Sequence, residues 1–315
     1  MKTRLLRYIL ALGVAFSAPF AWADARGFSF AVIFHPSKDD AGETMLRDAL
    51  NETDEQNLSF VVSNGIKSAV EPCSDRLYER RKSLLDSAKN GLIMSLAASD
   101  WTECKGTNGK SAAAGRLNRM RELFFTDEFS MGSSKIPLIR QSTIARFRSY
   151  GENARWEFDN VMFATINLPR NNNHYSLEAG RNGEFEDRQI ANKDWLQRVF
   201  VYASRKKMDG IVLFCDGDPL QKNIRQDGSR DGFSEVRKLT TALAAKFPGK
   251  VLIVHGRTRS VAQDTAVIVW RSNIGTLETR RSWVKVDIAR EPGTTFVIAE
   301  DSPDAKNRNR SSPSR

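Results

Sequence analysis

The chain has 315 residues, 40% of them hydrophobic, and a formal net charge of +10. That length is enough to bury a large core in one domain. The basic balance alone does not indicate a nucleic-acid partner, because no basic stripe with interleaved aromatic residues on a known module is visible. We therefore expect no nucleic acid among the partners.

The N-terminus has the three parts of a secretory signal peptide. Basic residues precede an apolar run over residues 8–20, and a small-x-small cleavage site follows at residues 21–23. We therefore expect residues 1–23 to be removed and the protein to be periplasmic or secreted, with no membrane span after cleavage. A retained signal anchor is the alternative, although the run is short for a membrane span.

Strands and helices alternate through the rest of the chain. Apolar runs predict strands, in chain order, at residues 28–34, 58–63, 91–96, 155–158, 161–167, 211–215, 251–254, 266–270 and 283–288. Amphipathic segments predict helices at residues 41–51, 75–89, 117–125, 187–204 and 233–247. This alternation, with hairpins towards the C-terminus, indicates one continuous α/β domain over residues 24–300. Residues 301–315 are rich in Ser, Pro, Asn and Arg and lack apolar periodicity, which predicts a disordered basic tail.

Three cysteines are present in a chain expected to reach an oxidising compartment. Cys73 and Cys104 each follow a polar loop, whereas Cys215 lies inside an apolar strand and is typical of a buried thiol. A disulfide that closes a loop of about 30 residues would stabilise the fold by roughly 3 kcal/mol. A zinc site is the alternative, but the spacing has no C-x-x-C pair.

Four polar loops follow predicted strands, where an open α/β sheet usually places its chemistry. They are Ile33-Phe34-His35-Pro36, Ser63-Asn64-Gly65-Ile66-Lys67, Ala97-Ala98-Ser99-Asp100-Trp101 and His255-Gly256-Arg257-Thr258-Arg259.

Further motifs are spread over nearly the whole chain. They are Ile66-Lys67-Ser68, Pro72-Cys73-Ser74-Asp75-Arg76-Leu77-Tyr78-Glu79-Arg80-Arg81, Trp101-Thr102-Glu103-Cys104, Arg116-Leu117, Arg121-Glu122-Leu123-Phe124-Phe125, Glu152-Asn153-Ala154-Arg155-Trp156, Phe163-Ala164-Thr165-Ile166-Asn167, Asn171-Asn172-Asn173 and Ala191-Asn192-Lys193-Asp194-Trp195-Leu196. In order and spacing, from about residue 28 to residue 297, they resemble an exported bacterial branch of the calcineurin-like metallophosphoesterases. The resemblance implies a four-layer α/β/β/α fold, in which two packed mixed β-sheets are flanked by helices. It also implies a disulfide between Cys73 and Cys104.

The chemistry of that family needs two metal ions, which activate a water and clamp the phosphate. The resemblance implies that its ligands are largely replaced here. The first loop has His35 where an Asp is usual, and the second has Asn64-Gly65 in place of Gly-Asp, whose Asp bridges the metals. The third loop keeps only Asp100. The late loop keeps His255-Gly256, but Arg257 and Arg259 replace an Asp and a His.

Each candidate residue has a functional and a structural interpretation. The catalytic candidates are His35, Asp100 and His255, and weak metal-ligand candidates are His35, Asp216 and His255. The ligand-binding candidates are Arg257, Arg259, Asn64, Ser99 and Asn172. The structural interpretations are a loop cap for Asp100, turns for Asp216 and Asn172, and hydrogen-bonded histidines for His35 and His255. Arg257 and Arg259 either bind an anion directly or form a solvated edge. Lys67 either contributes to the same anion site or points away from it. His174 is expected to face solvent.

These replacements predict a secreted phosphoesterase-like pseudoenzyme that binds an anionic ligand or an envelope protein, and whose phosphoesterase activity is low or absent. No cofactor is expected. The alternative is an active phosphoester hydrolase with a rebuilt single-metal or metal-free site, in which Mn, Fe or Zn would serve as the divalent cation. In that case His35, Asp100, Asp216 and His255 should converge on one point.

Overall fold

The structure is a computed structural model that describes residues 27–34, 42–176, 182–222, 230–256, 266–278, 282–291 and 293–299. The expected signal peptide and basic tail lie outside these residues and stay predictions. Within the described chain, no helix is both long and apolar enough to cross a membrane.

A five-stranded sheet forms one half of the core. Its strands are β1 (Phe28–Phe34), β2 (Phe60–Asn64), β3 (Leu92–Ser95), β11 (Trp283–Glu291) and β12 (Gly293–Ile298). They lie in the order β12-β11-β1-β2-β3. β1, β2 and β3 are parallel, whereas β11 runs antiparallel to both of its neighbours.

A seven-stranded sheet forms the other half. Its strands are β4 (Ile139–Arg140), β5 (Ala154–Phe158), β6 (Val161–Thr165), β7 (Gly210–Cys215), β8 (Lys250–His255), β9 (Val267–Arg271) and β10 (Ile274–Glu278). They lie in the order β4-β5-β6-β7-β8-β10-β9. β6, β7, β8 and β10 are parallel, and the remaining pairs are antiparallel.

Helices cover the outer faces of the two sheets. The helices are α1 (Gly42–Asp54), α2 (Asp75–Asp86), the short α3 (Ala98–Trp101), α4 (Ala113–Phe124), α5 (Gly183–Arg205) and α6 (Ser234–Ala244). Apolar residues of α1, α2 and α4 pack on the five-stranded sheet. Those of α5 and α6 pack on the seven-stranded sheet. The predicted architecture, two packed mixed sheets flanked by helices in four layers, is confirmed.

The layer between the sheets is an aromatic core. Phe30 and Phe60 from one sheet contact Phe163 from the other, and Trp156 stacks on Phe214 with ring centroids 5.8 Å apart. Alternate residues of β1 face this layer and the helices, so both faces of the strand are buried. Burial on both faces explains why the central strands are continuous apolar runs rather than alternating patterns.

The predicted set of strands is incomplete. β4, β10 and β12 were not expected, and the sequence placed only three strands after residue 250. Gly275 breaks the apolar pattern of β10 because a Cβ there would lie 2.9 Å from the Trp270 ring. Such a glycine serves the packing of a neighbouring strand, which local sequence does not reveal.

The cysteine predictions are confirmed. Cys73 and Cys104 form a disulfide with their Cα atoms 5.7 Å apart, and Cys215 is a free, buried thiol. Burial raises the pKa of the Cys215 thiol well above its usual value.

Candidate functional site

The carboxyl ends of the parallel strands from both sheets meet at one edge of the molecule. The Asn64 side-chain amide donates to the Cys215 carbonyl at 2.8 Å, which joins the end of β2 to the end of β7. The Gly256 N–H donates to the Asp216 carbonyl, also at 2.8 Å, and joins the end of β8 to the same loop. The ends of β2 and β8 therefore converge with the loop that follows β7.

Asp100 ties the second loop to the third. One carboxylate oxygen accepts the Ile66 N–H at 3.0 Å, and the other accepts the Ala97 N–H at 2.8 Å. The side chain is fully buried. Burial raises the pKa of Asp100 to about 6, although the two backbone hydrogen bonds and Lys67 favour the ionised form. Both carboxylate oxygens are thus used in capping backbone groups.

Asp216 makes a second link of the same kind. Its Oδ2 accepts the Ala98 N–H at 2.8 Å and the Arg170 N–H at 2.9 Å. The consecutive amides of Ala97 and Ala98 therefore bind one carboxylate each. Asp216 lies close enough to Asp100 for its charge to disfavour ionisation of that group.

His255 is buried at the end of β8, where its Nδ1 lies 2.8 Å from the Gly256 carbonyl. Its Nε2 is 4.0 Å from an oxygen of Asp218. The other oxygen of Asp218 accepts the Leu220 N–H at 2.8 Å, in a local turn. The ring is therefore held by its own loop, and Asp218 lies at the limit of an ion pair with it.

Lys67 does not line an open pocket. It is 1% exposed, and its ammonium donates to the Ser68 and Ser99 carbonyls at 2.7 and 2.8 Å. Burial lowers its pKa, while Asp100 acts in the opposite direction. Arg81, also fully buried, donates to the Ile66 carbonyl at 2.8 Å and fixes the same loop.

The amide candidates serve mainly to join loops. Asn172 donates to the Arg230 carbonyl at 3.0 Å and accepts the Gly232 N–H at 2.9 Å, so both ends of its side chain are used. Asn64 is different, because its amide oxygen is buried and, within the described part of the chain, has no hydrogen-bond partner. Ser99 is buried in α3, and its carbonyl serves Lys67.

Three candidates, His35, Arg257 and Arg259, lie outside the residues that the structure describes. Their roles stay predictions. The cationic pocket expected from the two arginines also stays a prediction, and the buried Lys67 does not point towards an open pocket.

The remaining donor set does not fit a two-metal centre. A pair of cations needs a shared carboxylate and several oxygen or imidazole ligands. Gly65 stands where the resemblance implies that shared carboxylate, and Asp100 has both oxygens on backbone N–H groups. Among the described residues, no group of three or more His, Cys, Asp or Glu side chains is arranged to hold a metal ion.

The sequence interpretation missed Arg170 and was wrong about His174, which it expected to face solvent. Arg170 is half-buried, and its backbone N–H donates to the Asp216 carboxylate. His174 does not simply face solvent, because its Nδ1 lies 2.9 Å from Glu184 and its ring packs on Trp101. A polar loop directly after a buried strand is the sequence pattern that could have identified both residues. The partners of His174, however, lie on other elements, and no local pattern identifies them.

Comparisons with known proteins add little. No protein-family model matches the chain, and no curated protein matches it. One solved structure that it resembles is the crystal structure of a novel phosphatase from Mycoplasma pneumoniae, at 10% sequence identity and a TM-score of 0.42. The match covers 90% of this chain and 97% of that one. At this identity and TM-score the likeness carries no conclusion about activity.

Proposed function

We propose that this chain is a phosphoesterase-like protein that binds an anionic ligand or a protein and has little or no metal-dependent hydrolase activity. The observation that carries the proposal is the use of Asp100 and Asp216, each of which binds two backbone N–H groups. A carboxylate in this role holds loops together. For Asp100, whose two oxygens each accept a buried backbone N–H, a metal ion would compete with these bonds, and each amide left unpaired would cost about 1–3 kcal/mol. Asp216 accepts both of its N–H groups through Oδ2.

The motifs that resemble the calcineurin-like family support the first part of the proposal, namely that the chain is phosphoesterase-like. Glu152 receives two hydrogen bonds from Arg121, at 2.9 and 2.6 Å. Asn153 donates to Asn192 at 2.9 Å and links the start of β5 to α5. These motif residues stabilise the fold. The ligand positions differ while the scaffold residues remain, a pattern typical of a pseudoenzyme.

The proposal includes export. It is supported by the N-terminal pattern of a signal peptide and by the Cys73–Cys104 disulfide, because disulfides persist mainly in oxidising compartments. The protein would then act in the periplasm or outside the cell, on an anionic ligand or an envelope protein.

An active hydrolase with a rebuilt site is the second candidate. The observation in its favour is the approach of His255 to Asp218, with Asp216 on the same loop. A single divalent ion such as Mn, Fe or Zn would need these side chains to rotate towards one point, since metal–ligand bonds are near 2 Å.

The test compares metals with anions on the purified mature protein. Phosphate at about 100 times its dissociation constant should stabilise the fold by roughly 2.7 kcal/mol. Mn²⁺, Zn²⁺ and Fe²⁺ should give no comparable shift in melting temperature. Replacement of Arg257 and Arg259 by Ala should abolish the phosphate effect. The control is the double variant R198A/K238A, which removes two exposed charges that form ion pairs along helices.

Two results would contradict the proposal. One is bound metal at two equivalents together with hydrolysis of nitrophenyl phosphate esters near 1 s⁻¹, an ordinary enzyme rate. The other is stabilisation by a divalent metal and by no anion, which would favour the rebuilt hydrolase.

A further inference from the structure

His174 lies in an unusual turn at the edge where the loops converge. Asn172, Asn173 and His174 have positive φ angles of 55°, 53° and 57°. Three successive residues in this region are rare outside glycine, and such backbones tend to occur at functional sites. The turn is fixed by Arg188, which donates to the side chain and the carbonyl of Asn173 at 2.5 and 2.9 Å.

Glu184 orients the imidazole. Its Oε2 is 2.9 Å from His174 Nδ1, and Arg188 holds the same carboxylate at 2.6 and 3.2 Å. Although burial opposes ionisation, Arg188 and His174 lower the pKa of Glu184 to about 2. An ionised carboxylate only accepts hydrogen bonds. Nδ1 of His174 therefore carries the proton, and Nε2 is the ring nitrogen left for a ligand.

The charges around the ring nearly cancel until the histidine is protonated. Arg188 is fully buried, and all five of its N–H donors bind protein acceptors. It therefore cannot contact a ligand, but its charge neutralises that of Glu184. A proton on His174, a side chain that is 25% exposed, therefore gives the group of His174, Glu184 and Arg188 a net charge of +1.

A neighbouring group also lacks a partner. The ring of Trp101 contacts that of His174 with centroids 4.9 Å apart. Its indole N–H is buried and has no hydrogen-bond partner among the residues that the structure describes. An indole nitrogen only donates, so any partner of this group must be an acceptor, whether a water or an anionic oxygen.

We propose that His174 is a ligand-contacting residue of this edge, which binds an oxyanion such as sulfate or a phosphate group through Nε2 when the ring is protonated. The inference rests on the proposed function, because it identifies one group that would bind the anionic ligand.

The test uses sulfate, whose charge is constant over the pH range in which a histidine titrates. We expect sulfate to bind about tenfold more tightly at pH 5.5 than at pH 8, because a charge-assisted hydrogen bond is gained. H174N should lose this gain. Asn readily adopts positive φ, so the variant keeps the turn. R198Q removes an exposed charge from α5 and should behave like the wild type.

A second readout does not depend on any variant. The chain has only three histidines, so imidazole NMR signals are few and H174N identifies that of His174. Sulfate should shift this signal, and the shift should be larger at pH 5.5 than at pH 8. Asp100 also titrates near this range, but its carboxylate contacts Ile66 and Ala97, so the H174N comparison isolates the histidine.

The outcomes separate the two proposals. If sulfate binds without moving the His174 signal, or if H174N keeps the full pH dependence, the inference about His174 is wrong while anion binding stands. If sulfate binds at no pH, anion binding itself fails and the inference fails with it.

Discussion

Asp100 and Asp216 illustrate, at the scale of single residues, how backbone amides can stabilise buried carboxylates. Each accepts two N–H groups from different loops. Such bonds favour the charged form, while burial disfavours it. For Asp100 burial is the larger effect, since its pKa is raised to about 6. The Asp100 carboxylate therefore links two loops through its hydrogen bonds, although its ionised form is destabilised by burial.

The raised pKa gives Asp100 a defined effect on stability. Between the usual carboxyl value of 3.8 and about 6, the folded state binds a proton that the unfolded state has released. The contribution of Asp100 is therefore fully present below the lower value and is lost as the pH rises through the upper one. A shift of roughly two units corresponds to about 3 kcal/mol.

We expect D100N to remove this pH dependence. The free energy of unfolding of the wild type, minus that of D100N, should decrease as the pH is raised from 4 to 7. Above that range the variant should still be less stable, because its amide can accept only one of the two N–H groups, at a cost of about 1–3 kcal/mol. Urea unfolding across this pH range measures both quantities. A difference that rises with pH would show that the hydrogen bonds outweigh burial.

At the scale of elements, the strand ends approach each other so closely that some side chains have no room. A Cβ on Gly256, just after β8, would lie 2.6 Å from Oδ1 of Asp216 and 2.8 Å from its carbonyl oxygen. The Gly256 N–H binds that same carbonyl. Glycine is therefore required here for close approach between the ends of β7 and β8.

We expect G256A to lower the free energy of unfolding by about 1–3 kcal/mol, the usual cost of overpacking a tight site. The matched control is G115A in α4, where a Cβ meets nothing within 4 Å. That change should raise stability by roughly 0.5–1 kcal/mol, because alanine favours the helix. Thermal unfolding of both variants gives the comparison. Equal effects would show that the loop after β8 moves aside.

The sequence predicts elements well where one local pattern is sufficient. β1 was expected at residues 28–34 and is found at Phe28–Phe34, because burial on both faces requires an unbroken apolar run. β12 contains Gly293 and two threonines before its apolar residues, and it is completed only by pairing with β11. The strand β12 was not predicted, because its pairing with β11 is a contact between two segments and not a local sequence pattern.

The candidate site was predicted only in part, for the same reason. The loops that converge were identified because they follow strands. The roles of their residues depend on distant partners: Ala98 binds Asp216 across 118 positions, and Asn64 binds Cys215 across 151. The sequence is equally compatible with a Lys67 side chain that faces the site and with one that faces the interior. In the structure its ammonium points inward, because it donates to the carbonyls of Ser68 and Ser99.

At the scale of the whole molecule, the disulfide joins the chain on either side of the α2–β3–α3 segment. It closes a loop of 31 positions between Cys73 and Cys104. The Tyr78 hydroxyl lies 3.6 Å from the Cys104 sulfur and donates to the Asp100 carbonyl at 2.7 Å. The covalent link is thus attached directly to the loop that Asp100 caps.

We expect a reducing agent to lower the free energy of unfolding of the wild type by about 3–4 kcal/mol, the chain-entropy value for a loop of this size. C215A should respond in the same way, because its buried thiol takes no part in the bond. C73A/C104A should be destabilised from the start and should not respond at all. Urea unfolding with and without reductant compares the three proteins. A reductant effect that persists in C73A/C104A, or a Cys215 peptide cross-linked in a non-reducing digest, would contradict this pairing as the source of stability.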